Sequence, residues 1–226
     1  MSETVAFGVP VSTIFPDPRT AELAGAVVDG DAARVRELAR GADLSVRGDR
    51  DVTLLQWAVF NRNLPALREL LDAGADPAQP GMDGDTVLHL AAMADEPAYL
   101  SELLRRGASP DLRNATTGAG VLRSALIGDR EAQFRMLLVA GADPNLADRM
   151  GNTPLHVAAL VNEPARVLDL LADGADAARR NAQGVTFQHY LFTTRLDLLD
   201  APTSAAWERV LDWLQAHGIP LEAAQA

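Results

Sequence analysis

Residues 141–159 read GADPNLADRMGNTPLHVAA and contain two signals that recur along the chain. The first is a Gly-Ala-Asp or Gly-Ala-Ser triplet, repeated every 33 or 34 residues with its glycine at Gly41, Gly74, Gly107, Gly141 and Gly174. The second is a threonine that opens an apolar run such as TPLHVA, and it keeps the same phase at Thr53, Thr86, Thr153 and Thr186. Two markers that share one period predict a chain built from stacked copies of one supersecondary unit.

Each copy is predicted to contain two antiparallel helices. In the fifth copy Leu155, Ala158 and Ala159 have the spacing of one helical face, and Val167 and Leu170 belong to a second face further along the chain. The turn between the helices offers residues that favour a helix N-cap, and prolines follow at 65, 97 and 164; the predicted caps are Asn63, Asp95, Asp129 and Asn162. The triplet glycine is then expected to end the second helix in the left-handed conformation.

The period predicts an all-α solenoid of about six helix-turn-helix units with short hairpin loops, forming a single domain over residues 1–226. An extended N-terminal segment is expected over residues 1–18, and a modified capping repeat over residues 184–226. The repeats between them are predicted at residues 19–50, 51–83, 84–116, 117–150 and 151–183. An insertion at residues 193–206 is either a capping elaboration or a binding loop.

The run GADPNLADRMGNTPLH and the helix pairs resemble ankyrin repeats, and the resemblance covers roughly residues 19–220. The segments LLQWA, DGDTVLHLAA, DRMGNTPLHVAA and NAQGVTFQHYLF are similar to a group of bacterial ankyrin proteins that act as immunity proteins against type VI secretion effectors, particularly phospholipase D-like lipases. The resemblance implies a protein that binds its effector and blocks the lipase active site. The alternative is a non-enzymatic adaptor or scaffold that binds an unrelated bacterial protein.

Charge and composition limit the partners. The formal charge is -11, from 31 acidic and 20 basic residues, and it disfavours a nucleic acid partner. No run approaches the roughly 18 apolar residues that span a bilayer, so we expect a soluble protein, monomeric when free. The opening segment shows no secretion signal. The immunity interpretation implies a periplasmic location if such a signal has been removed, and the cytoplasm otherwise.

Catalytic chemistry is not indicated by the sequence, and neither a cofactor nor a metal is predicted. His89, His156 and His189 occupy the same position in three of the repeats, where ankyrin repeats use the imidazole as a structural hydrogen-bonding group. Side chains held one per repeat are too far apart to form one metal site or one proton relay. The TTGAG segment lacks the lysine of a phosphate-binding loop. We therefore predict a binding protein with no enzyme activity.

The predicted binding surface is an apolar stripe with a polar rim. Positions four and seven after each repeat threonine lie three residues apart, on one face of the first helix, and they are largely apolar. The position-four residues have a second interpretation, which is packing between neighbouring helices. The loops between repeats supply the rim. The predicted partner-binding residues are Arg50, Trp57, Phe60, Asn61, Met82, Asp83, Asp85, Leu90, Met93, Thr117, Ile127, Arg149, Met150, Asn152, Leu160 and Tyr190.

Overall fold

A computed structural model describes residues 4–193 and 199–222, and helices dominate it, as predicted. A short hairpin precedes the helices, with strands β1 (Val5–Ala6) and β2 (Val9–Pro10). The helices are α1 (Val11–Ile14), α2 (Pro18–Asp29), α3 (Ala32–Ala39), α4 (Leu54–Phe60), α5 (Leu64–Asp72), α6 (Val87–Met93), α7 (Ala98–Arg105), α8 (Val121–Ile127), α9 (Glu131–Val139), α10 (Pro154–Leu160), α11 (Pro164–Ala172), α12 (Phe187–Leu191) and α13 (Ala201–Ala216).

The chain divides into two compact units, residues 1–117 and 118–226. In the first unit α4 contacts α2 and α6, while α5 contacts α3 and α7, so three helix pairs stack in two layers. In the second unit α10 contacts α8 and α12, and α11 contacts α13. The assignment of all 226 residues to one domain stays a prediction.

The repeat threonine begins the first helix of a pair. The backbone N–H of Gln56 donates to the Thr53 hydroxyl at 3.2 Å, and the N–H of Thr53 donates to the Gln56 side-chain oxygen at 3.1 Å. Histidine replaces glutamine at this position in three other repeats, and the box forms in two of them. The Thr86 N–H donates to His89 Nδ1 at 3.2 Å, and the Thr153 N–H donates to His156 Nδ1 at 3.3 Å. Such a reciprocal capping box satisfies backbone groups that a helix start leaves unpaired. The structural role predicted for the repeat histidines is thus confirmed where the box forms.

Glycine is needed at two kinds of position. Gly74 ends α5 with φ 96°, and a Cβ built there would meet nothing within 4 Å, so the left-handed backbone requires the glycine and crowding does not. Gly81 is different, because a Cβ there would lie 2.1 Å from the Gln56 side-chain oxygen. The loop of one repeat therefore approaches the helix start of the preceding repeat too closely for any side chain.

The predicted N-caps of the second helices are correct at one position and wrong at the others. Asn63 caps α5 by accepting the N–H of Ala66 at 2.9 Å. Asp129 and Asn162 instead lie one residue before the caps of α9 and α11, with φ of 51° and 59°. Asp and Asn tolerate this left-handed conformation better than other side chains do, which explains their occurrence in the turn. Pro97, rather than Asp95, is the N-cap of α7.

The N-terminal segment is not extended, contrary to expectation. It folds back as the β1–β2 hairpin and the one-turn helix α1, and Phe15 is fully buried. The ring centroids of Phe7 and Phe15 lie 5.8 and 5.5 Å from that of Trp57, both in edge-on orientation. The indole N–H of Trp57 donates to the carbonyl of Ala24 at 3.0 Å. Aromatic contacts of this kind explain why the segment folds onto α4.

The second helices of each unit place leucines in the core and form ion pairs with the neighbouring second helices. Leu70, Leu103, Leu137 and Leu170 are fully buried, one per repeat, and burial of each stabilises the fold by about 1.5 to 3 kcal/mol. Glu102 is also buried, and its carboxylate accepts hydrogen bonds from Arg68, Arg105 and Arg106. These bonds lower the pKa of Glu102 to about 2.

The C-terminal repeat contains α12 and α13, and Asp200 caps α13 by accepting the N–H of Thr203 at 2.9 Å. The insertion expected at 193–206 lies partly outside the described residues, so both interpretations of it stay open. After α13 the chain returns to α12, where the side-chain N–H of Gln188 donates to the carbonyl of Pro220 at 3.2 Å. The N–H of Glu222 donates to the side-chain oxygen of Gln188 at 3.1 Å.

Candidate functional site

In the first unit, one residue of the predicted apolar stripe, Trp57, is not at the surface. Trp57 is only 3% exposed, because the N-terminal hairpin and Phe15 cover its ring. It is therefore a core residue and offers no surface to a partner. Asn61 also has an internal role, since its side chain donates to the carbonyl of Trp57 at 2.8 Å.

The rest of the stripe in the first unit is partly open. Phe60 and Leu90 are half-buried, and Met93 at the end of α6 is 39% exposed. Half-buried apolar side chains at helix ends can lose further water contact when a partner binds. Phe60, Leu90 and Met93 thus remain the apolar candidates of this unit.

Two tight turns form the rim of the first unit. Arg50 and Asp83 occupy left-handed conformations, with φ of 56° and 55°, and both are exposed. Asp85 is half-buried and accepts a hydrogen bond from the side chain of Asn114 at 2.5 Å, so it supports the loop. The other two rim candidates of this unit are Met82, which is half-buried, and Thr117, which is exposed.

The second unit exposes the apolar stripe more fully. Ile127, at the end of α8, is 45% exposed, and Leu160, at the end of α10, is 64% exposed. Ser124 and Val157, which are the corresponding position-four residues, are buried between helices. In this unit position seven is the surface position, and position four belongs to the core on α8 and α10.

A groove lies beside these exposed side chains and encloses a cavity of about 110 Å³. Residues of α8, α10 and α12 and of the loop that precedes α10 line it: Arg123, Ile127, Asp148, Asn152, His156, Val157, Leu160, Val161 and Tyr190. Four of the predicted partner-binding residues, Ile127, Asn152, Leu160 and Tyr190, thus come together at one place. We call this place the second-unit groove.

Hydrogen bonds fix the rim of the second-unit groove. One oxygen of Asp148 accepts the backbone N–H groups of Met150 and Asn152, each at 2.9 Å. The Tyr190 hydroxyl accepts from Asn181 at 2.9 Å and donates to Gln183 at 3.2 Å. The two remaining rim candidates, Arg149 and Met150, are exposed on the same loop. A loop held in this way presents its side chains with little loss of conformational freedom on binding.

His156 lies in the wall of the groove, and its imidazole is buried. Burial lowers its pKa, because a low-dielectric environment disfavours the imidazolium form. Its Nε2 lies 3.2 Å from the carbonyl of Val185, and its Nδ1 lies 2.9 Å from the hydroxyl of Thr153. Nδ1 therefore helps to cap α10 itself, and Nε2 joins α10 to the next repeat.

Five residues that line the groove were not among the predicted site residues, and two of these five, Arg123 and Asp148, carry charges. Arg123 occupies the position at which other repeats carry Gln56, His89 or His156, and Asp148 lies in the loop that precedes α10. The replacement of a neutral capping side chain by arginine was visible in the repeat register. What the arginine does depends on the groups that surround its guanidinium, and the alignment of the repeats does not identify those groups.

Within residues 4–193 and 199–222 no group of three or more His, Cys, Asp or Glu side chains is arranged to hold a metal ion. In the same part of the chain no helix is long and apolar enough to cross a membrane. In the second unit the first helices of the repeats border a small groove that both apolar and polar side chains line.

Comparison with protein families identifies the repeat. A model of three ankyrin repeats matches residues 23–114, and a model of a single ankyrin repeat matches residues 150–182. The chain belongs to the ankyrin-repeat family, and the predicted ankyrin-repeat fold class is confirmed. This fold is typically a protein-binding fold.

Known proteins and structures give the same fold. Protein PhlB of Serratia liquefaciens is 51% identical over 140 residues, which cover 62% of this chain and 62% of PhlB. The match thus spans less than two thirds of that relative. A chain in the structure of the predatory endopeptidase Bd0816 of Bdellovibrio bacteriovorus in complex with immunity protein Bd3460 aligns with a TM-score of 0.66 and 24% identity, covering 83% of this chain and 97% of that chain. The ankyrin repeat domain of Bcl-3 aligns with a TM-score of 0.56 and 23% identity, with the same two coverages.

Proposed function

We propose that this chain is a protein-binding inhibitor, an immunity protein that binds a secreted phospholipase effector and covers its active site. The observation that supports it most is the second-unit groove, where Ile127 and Leu160 expose apolar surface beside a small cavity. Exposed apolar side chains grouped around a cavity, with a hydrogen-bonded polar rim, have the anatomy of a protein-binding site.

Two comparisons favour inhibition over other kinds of binding. One similar structure contains an enzyme together with its immunity protein, and its likeness to this chain extends over most of both chains. The segments around residues 83–92 and 148–159 resemble bacterial immunity proteins against phospholipase D-like effectors of type VI secretion. On this proposal the protein acts in the periplasm if a secretion signal has been removed from it, and in the cytoplasm otherwise.

The test is an inhibition assay with a secreted phospholipase D-like enzyme encoded next to the gene of this chain. Hydrolysis of phosphatidylcholine vesicles is measured while the purified chain is added. We expect hydrolysis to fall to zero near a 1:1 molar ratio, since an immunity protein must bind tightly to protect the cell. Full hydrolysis at a large excess of the chain contradicts the proposal, and binding without inhibition supports the adaptor alternative.

Leu160→Asp tests whether the second-unit groove makes the contact. A buried hot-spot side chain contributes about 2 kcal/mol or more, so we expect at least about a 30-fold loss of affinity. Val139→Asp is the matched control, because Val139 is 90% exposed at the end of α9 and is not among the residues that line the groove. Equal inhibition by the two variants contradicts this location of the site.

The first unit can be tested in the same assay. Phe60→Asp combined with Met93→Asp introduces two charges on the apolar candidates of that unit. We expect weaker inhibition if the partner contacts both units, with a thermal midpoint close to that of the unchanged chain because neither side chain is fully buried. A large fall of the midpoint would show that these side chains belong to the core.

A further inference from the structure

The fourth repeat departs from the others at the start of its first helix. Gly120 replaces the repeat threonine, and Arg123 replaces the Gln or His that elsewhere bonds back to it. Leu146 explains the glycine, because a Cβ at residue 120 would lie 2.6 Å from its Cδ2. This repeat therefore lacks the threonine of the capping pair. The side chain of Arg123 does not form the capping bond that Gln56, His89 and His156 form in their own repeats.

The guanidinium of Arg123 has no hydrogen-bond or ion-pair partner in the part of the chain that the structure describes. Two other arginines of this unit differ, since Arg135 pairs with Glu131 and Arg166 pairs with Glu131 and Asp169. Arg123 is also half-buried in the second-unit groove. A guanidinium without a protein partner bonds only to water, and an anion that binds there can replace that water with charge-assisted hydrogen bonds.

The neighbours of Arg123 do not supply that anion. Asp148 lines the same groove, but one of its oxygens accepts two backbone N–H groups and the other lies 3.4 Å from the side-chain nitrogen of Asn152. His156 uses both ring nitrogens within the fold, and Tyr190 has its hydroxyl bonded on both sides. Among the described residues that line the groove, Arg123 thus has a charged group that no hydrogen bond or ion pair engages, while Asp148 keeps its negative charge but has its oxygens bonded to N–H groups.

We propose that Arg123 binds a carboxylate of the protein partner, an Asp or Glu side chain whose apolar neighbour packs on Ile127 and Leu160. This rests on the proposed function, since it names the chemistry that the same groove recognises. A guanidinium can hold a carboxylate through two parallel N–H donors, which fixes its orientation as well as its position. The cavity of about 110 Å³ is several times the roughly 30 Å³ that a water molecule occupies. A singly charged carboxylate suits a site next to Asp148 better than a doubly charged phosphate does.

The direct test uses small probes that differ mainly in charge. Nitrogen-15 NMR follows the Arg123 Nε–H resonance, assigned by its absence from the Arg123→Gln variant, during titration with 4-methylpentanoate, 4-methylpentanamide, 4-methylpentylammonium or inorganic phosphate. We expect 4-methylpentanoate to shift this resonance and the methyl resonances of Leu160 saturably, with a dissociation constant at least ten-fold below that of the amide. Arg123→Gln should remove the difference.

This variant keeps the fold testable, because Gln56 occupies the equivalent position in the second repeat and bonds within its own helix start. Arg135→Gln is the matched control, since Arg135 is paired on α9 and its loss should leave probe binding unchanged. Tighter binding of the ammonium or of phosphate than of the carboxylate overturns the proposal. Equal shifts of all arginine resonances, or no saturable shift, overturn it as well.

The inhibition assay separates this inference from the proposed function. If the unchanged chain inhibits the phospholipase and Arg123→Gln inhibits it equally well, the carboxylate contact is wrong while the function stands. If the unchanged chain does not inhibit but 4-methylpentanoate still binds at Arg123, the phospholipase assignment is wrong and the site stands. We expect Arg123→Gln to raise the inhibition constant at least ten-fold, and Arg135→Gln to leave it unchanged.

Discussion

The apolar faces of α4 and α10 belong to equivalent helices of the two units, yet the chain treats them differently. On α4 the large side chain of Trp57 lies under Phe7 and Phe15, so the N-terminal segment closes that face. On α10 the smaller Val157 is buried by its neighbours, and Leu160 remains 64% exposed beside the second-unit groove. Apolar residues on one helix face therefore include both core side chains, at position four, and open side chains, at position seven. The distinction depends on whether another segment of the chain covers them.

The largest expected effect tests the covered face against the open one. Trp57→Ala should lower the free energy of unfolding by about 3 to 5 kcal/mol, because it leaves a cavity under two phenylalanine rings. Leu160→Ala should change it by less than about 0.5 kcal/mol, since Leu160 is mostly in water. Urea denaturation followed by circular dichroism measures both. Similar losses for the two variants would remove the contrast between the faces.

The next largest expected effect is the loss of stability when an ion-paired carboxylate is replaced by an amide, which we compare between the two units. Glu102→Gln should cost about 2 kcal/mol, because it weakens charged hydrogen bonds to three arginines. Asp169 holds the equivalent place on α11, but a third of its side chain is in water, and Asp169→Asn should cost less than about 1 kcal/mol. Urea denaturation at pH 7 measures the free energy of unfolding of both variants. A larger loss for Asp169→Asn would contradict the difference in burial.

The same carboxylate gives the first unit a characteristic acid sensitivity. The folded pKa of Glu102 is about 2, below its ordinary value of 4.5, so its contribution to stability is complete above pH 4.5 and lost as the pH falls towards 2. The stability difference between the unchanged chain and Glu102→Gln should therefore shrink over that range. A difference that stays constant from pH 6 to pH 2.5 would show that the arginines do not stabilise the charged form.

The smallest expected effect concerns the capping boxes, which occur in both units. Thr86→Ala and Thr153→Ala should each cost about 1 kcal/mol, because each removes one side of a capping box. Thermal unfolding of the two variants measures this. A much larger effect in one unit would show that its helix starts carry stability that the other unit obtains elsewhere.

The sequence predicted the repeat fold well because its signals are local. The triplet glycines end second helices with positive φ, and the repeat threonines begin first helices, as the period indicated. The N-cap errors at Asp129 and Asn162 are shifts of one residue, since Asn and Asp favour both a cap and the left-handed position before it. Short-range preferences of this kind decide element boundaries, although not always to the residue.

The groove was only partly predictable because its properties depend on distant contacts. Ile127 and Leu160 were identified correctly as exposed, but no periodicity could show that Phe7 and Phe15 would cover Trp57. Arg123 stands out in the register as a replacement for histidine. That its guanidinium lacks a partner follows only from the positions of Asp148, His156 and Tyr190, which come from other repeats or from the loop between them.

The return of the chain to Gln188 has a consequence for how the array could grow. In the second repeat the side-chain amide of Gln56 donates to the carbonyl of Asp85 and accepts the N–H of Met82, which belong to the loop of the following repeat. Gln188 makes the same two kinds of bond, but with Pro220 and Glu222. Residues 220–222 thus imitate the loop of a further repeat. To lengthen the protein by adding another repeat after α13, one would first have to remove the hydrogen bonds that Pro220 and Glu222 make to Gln188.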